Sequence, residues 1–305
     1  MAASNTSKWF WGIFLSLVFI GLVFVGVCFL LIAQAIKHRT TFEYTSRGSG
    51  DKIAVVDIND VIFSSEKTVE QIKNYREDKS IKAIILRINS PGGGVAASQE
   101  IYEEVKRTRD SGKIIVVSMG SIAASGGYYI SCGANLIVAN PGSLTGSIGV
   151  IMQFINFKDL AEKLGIKETT IKSGDLKDSG NPFRDVNNKD SVYFQDIIDN
   201  TFTQFTEVVA KERKMNLDTL MKYANGRVFT GLQAKEYGLV DSLGTFEDAI
   251  RITAGIAGIE GEPRIIREKK RISIFEEILG SKFEDVTDIK HKLFEEPILQ
   301  YKFTP

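Results

Sequence analysis

Four short runs rich in Val and Ile constrain this 305-residue chain most: "KIAVVDI" (52–58), "KAIILRIN" (82–89), "KIIVVSM" (113–119) and "NLIVAN" (135–140). Each is continuous rather than alternating, the pattern of a strand buried on both faces. Between the second and third runs, Ala97, Ile101 and Val105 recur on one helical face, while Glu103, Glu104, Lys106 and Arg107 fall mostly elsewhere. Strands that alternate with helical segments predict an α/β fold with a largely parallel sheet. Further on, residues 187–214 read as a helix whose apolar face is Ile197, Phe202, Phe205 and Val209. Helices around "LDTLMKYA" and "GLQAKEYG" follow, with Gly238 as a stop, and "SIFEEILG" reads as a short amphipathic helix in a charged tail.

Ahead of the sheet, the run from Trp9 to Ala33 carries no charge. At about 1.5 Å per residue it is long enough to cross a hydrocarbon core of about 30 Å, and too long for the apolar core of a cleaved signal peptide. The expected organisation is a short segment 1–8, a transmembrane helix 9–35, a linker 36–51, a globular domain 52–267 and a tail 268–305. Lys8 and the N-terminal amine flank the run on one side, Lys37 and Arg39 on the other, so charge alone does not orient it.

Lys and Arg together number 38, as do Asp and Glu, which leaves no electrostatic reason to expect nucleic acid as a partner. Cys28 lies in the apolar run and Cys132 in the globular part, which argues against an intrachain disulfide, and no metal-ligand spacing is present.

The stretch "SMGSIAASGGYYIS" (118–131) sets three serines among very small residues ahead of two glycines, directly after the apolar run "KIIVVSM". It reads either as a tight strand-to-helix turn that happens to hold serine, or as a nucleophile placed where a substrate backbone comes close. Of Ser118, Ser121 and Ser125, only Ser125 immediately precedes two glycines. There it would meet the free N–H groups of a helix start, although a plain N-cap has the same requirement. A serine nucleophile needs a base. The two histidines, His38 beside the apolar run and His291 in the tail, both lie outside the β-α-β core, whereas a lysine can serve when burial disfavours its charged form. "INSPGGGVAAS" (88–98) falls between a strand and a helix, where glycines let backbone N–H groups approach a substrate oxygen. A phosphate-binding or plain tight turn is the competing reading, but G-x-G-x-x-G and G-x-x-x-x-G-K-[ST] are both missing. Taken singly, Lys177 is a solvated loop lysine, Ser147 satisfies a turn, Tyr128 and Tyr129 are packing residues, and Cys132 is a small core residue.

In combination the motifs are far more specific. "NSPGGG", "SMGSIAASGGYY", "LTGSIGVI", "IKSGDLKD" and "GRVFTGLQAKEYGLVDSLG" (226–244), in this order from about Lys52 to Ala257, resemble the signal peptide peptidase A family in its short, single-repeat form. The resemblance implies a ClpP/crotonase-like α/β domain with a mostly parallel sheet and flanking helices. It implies a membrane-anchored serine endopeptidase working by a Ser-Lys dyad. The serine of the family's A-S-G-G motif falls on Ser125, the lysine of its S-G-x-x-K-D motif on Lys177, and the serine of its T-G-S-x-G-V motif, which holds the lysine amine, on Ser147. Its oxyanion donors match the backbone of Gly92 or Gly93 and of Gly126. Also implied are cleaved signal peptides as substrates, a bacterial inner membrane with the catalytic domain on its outer side, a homo-oligomer that shares its sites between neighbours, and no metal or organic cofactor. Two other readings stand beside this one: a non-proteolytic crotonase-like acyl-CoA enzyme, and a catalytically silent membrane scaffold.

Overall fold

The computed structural model describes residues 5–37, 42–45, 48, 50–269 and 299–303. His38, His291 and the segment 273–280 lie outside the described residues. The chain divides into two units, the first holding Met1–Phe42 and Lys269–Arg271, the second Glu43–Glu268 and Ile272–Pro305.

The first unit is built on one long helix, α1 (Asn5–Lys37). Its apolar side chains from Trp11 to Val27 are all exposed. Among the described residues no helix is long and apolar enough to cross a membrane. On α1 the unbroken stretch of described side chains runs only from Trp11 to Val27, shorter than both the uncharged run in the sequence and the roughly 20 residues a span needs.

The second unit alternates strands and helices as the sequence pattern requires. Its elements are β1 (Phe42–Thr45), β2 (Lys52–Asn59), α2 (Glu66–Glu77), β3 (Ile81–Ser90), β4 (Gly92–Gly94), α3 (Val95–Asp110), β5 (Ile114–Ala124), α4 (Gly126–Ser131), β6 (Leu136–Ala139), β7 (Leu144–Gly146), β8 (Ile151–Met152) and α5 (Lys158–Lys163). After these come α6 (Asn188–Glu212), α7 (Leu217–Met221), β9 (Val228–Thr230), α8 (Gly231–Glu236), β10 (Ser242–Leu243), α9 (Phe246–Ile256), β11 (Arg264–Lys269) and β12 (Leu299–Lys302). The four apolar runs become β2, β3, β5 and β6, and β2–β3, β3–β5 and β5–β6 all pair in parallel.

The main sheet has the order β1-β11-β2-β3-β5-β6-β10, with β7 joined to the far end of β5 and β9 to β7. The β7–β9 pair is antiparallel, so the sheet is mixed rather than wholly parallel. Alternation along each central strand feeds two cores. Ala54, Val56 and Ile58 of β2, with Ile84, Leu86 and Ile88 of β3, pack with Ile101 and Val105 of α3 and with Phe205 and Val209 of α6. Ile53, Val55, Ala83 and Ile85 face the other way onto Ile250 and Ala254 of α9. Burial on both faces explains why the runs read as continuous. The expected helix stop is present: Gly238 has φ 76° and its amide donates to the Lys235 carbonyl.

A second, three-stranded sheet, β4-β12-β8, was not legible as a unit in the sequence. Its middle strand comes from the C-terminal tail and runs antiparallel to both neighbours.

Candidate active site

The candidate site forms where β3 and β5 end. β5 stops at Ala124, the chain turns at Ser125, and α4 begins at Gly126. Ser125 has φ 53° and ψ −112°. A residue with a Cβ adopts such angles at a cost of about 1–3 kcal/mol and holds them only when the surroundings insist. Here β7 insists: it pairs in parallel with β5, Ala124 opposite Gly146, and the Ser125 amide donates to the Gly146 carbonyl at 2.8 Å. The Tyr129 amide donates back to the Ser125 carbonyl at 2.8 Å, starting α4. Ser125 therefore stands at the N-cap position without capping: its side chain makes no cap hydrogen bond. Its hydroxyl oxygen is buried and has no hydrogen-bond partner among the described residues. Leaving a buried hydroxyl unpaired costs about 1–3 kcal/mol, so the N-cap reading gives no account of this serine.

The glycine turn after β3 lies alongside. The Gly92 amide donates to the Ser90 hydroxyl at 3.1 Å. The Gly92 carbonyl and the Gly94 amide both bond to Ile62, at 2.9 and 2.8 Å. Successive residues in an extended strand present their polar groups to opposite edges, so the Gly93 amide faces the other way, toward β12, where Gly93 pairs with Tyr301. Gly92 has φ +100°, and a Cβ there would collide with the Tyr301 carbonyl oxygen. A Cβ on Gly126 would stand 2.5 Å from the Ser98 hydroxyl oxygen, 3.1 Å from the Tyr301 carbonyl oxygen and 3.2 Å from the Gly92 Cα. The two glycine turns thus meet around the Tyr301 carbonyl. Tyr301 itself is fully buried, its ring against Tyr129 and Phe205 and its hydroxyl donating to the Thr201 carbonyl.

Ser147 follows β7 as Ser125 follows β5. It is buried, has φ 51°, and its amide donates to the Arg227 carbonyl at 2.8 Å. Lys177 is on the surface. Its side chain is exposed in the turn 173–180, and its amide donates to the Gly174 carbonyl at 3.2 Å. Within one chain, then, Ser125, Ser147, Gly92, Gly93 and Gly126 gather at linked turns, and no hydrogen bond among the described residues joins Lys177 to Ser125.

Tyr128 and Tyr129 are buried packing residues, as expected. The Tyr128 hydroxyl donates to the Leu239 carbonyl, and burial pushes the Tyr129 phenol up to about 12. Burial likewise pushes the Cys132 thiol up to about 12, which removes it as a rival nucleophile at neutral pH. Among the described residues no group of His, Cys, Asp and Glu could hold a metal ion. Sequence reasoning missed Ser90, Ser98 and Tyr301. The one available signal was the alternation of "LQYKF" (299–303), the period of a half-buried strand.

The chain is similar to known proteins. A model of the Clp protease family matches residues 52–141, covering both glycine turns and Ser125. A model of peptidase family S49 matches residues 107–260, covering Ser125, Ser147 and Lys177. A Synechocystis protein named as a protease is 42% identical over 68% of this chain and 76% of its own length. An Enterococcus faecium protein named as signal peptide peptidase SppA is 37% identical over 66% of this chain and 62% of its own length. Protease 4 of Salmonella typhi is 38% identical over 71% of this chain, which spans only 36% of that longer protein. The match to the S49 model runs over residues 107–260, half of the chain, and the chain belongs to peptidase family S49, a family of serine peptidases.

Proposed function

We propose that this chain is a membrane-anchored endopeptidase in which Ser125 is the nucleophile and Lys177 its base. One observation carries the reading: a buried, unpartnered serine hydroxyl sits at a strained turn beneath a groove that already accepts an extended peptide strand. β12 lies antiparallel between β4 and β8, and its Tyr301 carbonyl rests over Gly92 and Gly126. A substrate strand in the same place would offer its carbonyl to the same groups, the mode of peptide recognition by strand addition.

In the reaction, the Ser125 oxygen attacks the scissile carbonyl as its proton passes to the Lys177 amine. The oxyanion is held by the amides of Gly93 and Gly126. Gly92, whose amide already serves Ser90, shapes the turn instead. Collapse breaks the C–N bond, the leaving amine takes the proton from Lys177, and water then releases the acyl group from Ser125 by the same steps. Ser147 orients the lysine amine.

Among the described residues the Ser125 hydroxyl has no hydrogen-bond partner, and Lys177 is exposed, so we read each as half of a pair. We infer that neighbouring copies complete it, with Lys177 of one reaching Ser125 of the next. Exposed apolar side chains in the stretch before Lys177, among them Ile155, Leu160, Leu164, Ile171 and Leu176, support a homo-oligomer through this face. The uncharged run Trp9–Ala33 on α1 supports an anchor in a bacterial inner membrane. With the domain on the outer side, apolar signal-peptide remnants are the substrates this placement favours. An acyl-CoA enzyme or a silent scaffold would need neither the strained serine nor the filled groove.

The test is fluorophosphonate labelling and peptide cleavage by the full chain in detergent. Wild type is expected to label and cleave. Ser125→Ala is expected to do neither while keeping its circular dichroism spectrum. Labelling that persists in Ser125→Ala would sink the assignment.

A further inference from the structure

The turn that carries Lys177 has little regular backbone structure of its own, yet it is tied down on both sides. The anchor is a single guanidinium. Arg184 donates from Nε to Asp178 Oδ2 at 3.1 Å and from Nη2 to Asp178 Oδ1 at 3.0 Å, gripping the carboxylate of the residue next to Lys177. The same Nη2 also reaches the Asp178 backbone carbonyl at 3.0 Å. The other edge of the guanidinium holds Asp190, from Nη1 to Oδ2 at 2.5 Å and from Nη2 to Oδ1 at 3.0 Å.

Asp190 is a firm post. It is fully buried and belongs to the capping box of α6, a 25-residue helix, where it accepts the Asn187 amide at 3.1 Å. It accepts the Ser179 hydroxyl at 2.6 Å as well, which pins the second residue after Lys177. On the opposite side of the turn, Lys172 donates to the Asp175 carbonyl at 3.0 Å and to Asp178 Oδ1 at 2.7 Å. The Lys177 backbone is thus held from Asp175, Asp178 and Ser179, while its own side chain is left exposed.

We propose that the Asp178–Arg184–Asp190 clasp is a positioning device for the catalytic lysine. It fixes the Lys177 backbone to α6 so that the amine reaches the nucleophile in reacting geometry. The proposal rests on the reading of Lys177 as the base. Arg184 is a positioning residue, since its guanidinium is engaged by Asp178 and Asp190 and acts through the Lys177 backbone. The need for it is physical: a displacement of about 1 Å at a reacting group costs about 100-fold in rate. An exposed turn held by its own few backbone bonds does not supply that accuracy. The guanidinium meets each carboxylate with two N–H groups, a grip that an ammonium does not reproduce, so lysine does not replace Arg184.

The test is a kinetic cycle on the full chain in detergent, using a fluorogenic peptide, with Tm and assembly size measured for every variant. Arg184→Ala is expected to lower kcat by about 30- to 100-fold with KM changed less than about threefold. Asp178→Asn, which keeps the shape and removes the charge, should lower kcat in the same direction, and it stands in if Arg184→Ala does not fold. Arg184→Lys should recover less than a tenth of the loss. Against a Lys177→Ala background, Arg184→Ala should cost nothing further, since there is no amine left to place. A purely structural role would instead lower the residual activity of Lys177→Ala by the same factor as in wild type, and that result overturns the proposal. So does wild-type kcat in Arg184→Ala. Wild-type activity in Lys177→Ala itself overturns the assignment of the base, a failure that this control identifies separately.

Discussion

Ser125 and Ser147 leave two neighbouring parallel strands at the same level. Ala124 lies opposite Gly146, and the Ser125 amide donates to the Gly146 carbonyl at 2.8 Å. Both serines then take left-handed φ values, 53° and 51°. Two strained non-glycine residues side by side mark a place where stability has been given up for geometry.

That cost is measurable at Ser125. Glycine adopts such angles freely, so Ser125→Gly should be more stable than Ser125→Ala by about 1 kcal/mol, and neither variant should cleave peptide. Thermal unfolding of the pair checks the difference. Equal stabilities would show that the turn is relaxed. Ser147→Ala should keep its fold and lose about 10- to 100-fold in kcat, the ordinary range for one group that orients a proton carrier.

The closeness of Gly126 to Ser98 gives a second prediction. A Cβ on Gly126 would lie 2.5 Å from the Ser98 hydroxyl oxygen, so Gly126→Ala should displace the turn and reduce kcat by more than about 100-fold. Removing the obstacle in a Gly126→Ala, Ser98→Ala double variant should return part of the activity. The Gly92 Cα, 3.2 Å away on the backbone, keeps recovery incomplete. A double variant no more active than the single one would show that Ser98 is not the obstacle.

How much of this was readable beforehand follows from range. The four buried strands and the apolar faces of α3 and α6 were legible, because a strand covered on both sides and a helix covered on one leave local periodicities. Ser125 was legible from its position before two glycines, though local sequence did not separate a nucleophile from an N-cap. What distinguishes Ser125 from an ordinary N-cap, φ 53° and a side chain without a cap hydrogen bond, came only with the fold, where β7 pairs with β5 from outside the turn. Which edge Gly92 and Gly93 each present was equally out of reach, since it depends on Ile62 and Tyr301, residues remote in sequence. The tail was read as charged and mixed, and its last strand is defined by partners about 150 and 200 residues earlier.

The groove yields a third prediction. Tyr301 is fully buried between Tyr129 and Phe205, so Tyr301→Ala removes a packed aromatic worth about 3–5 kcal/mol to the seating of β12. Both Tyr301→Ala and deletion of residues 299–305 should raise kcat/KM for short peptides, chiefly through KM. A fall in kcat/KM after deletion would mean that β12 builds the groove rather than fills it.

The clasp predicts a pH dependence of stability. The Arg184 hydrogen bonds, then the Ser179 hydroxyl, hold the Asp190 carboxyl far below its usual range, and Lys172, then Arg184, lower Asp178. A carboxylate with a depressed folded-state pKa contributes stability that is complete above its unfolded value of about 3.9 and is lost as pH falls through the folded value. Tm should therefore hold above about pH 5 and decline below about pH 4. Asp190→Asn should start lower and decline less steeply. Parallel Tm curves for wild type and Asp190→Asn between pH 5 and pH 2 would contradict the assignment.

β12 is joined covalently to the groove it occupies, and this sets how the protein responds to dilution. A separate inhibitor drifts away as concentration falls, but a strand on the same chain stays at the same local concentration however dilute the protein becomes. On the reading proposed above, the groove would be open for a fixed fraction of the time, and every peptide would bind more weakly by that fraction. A loop of a folded protein that brushes the site loses this contest, whereas an extended apolar peptide with several side chains to place can win it. On that reading, the strand acts as an entry threshold, set by the seating of Tyr301 and independent of the concentration of the protein.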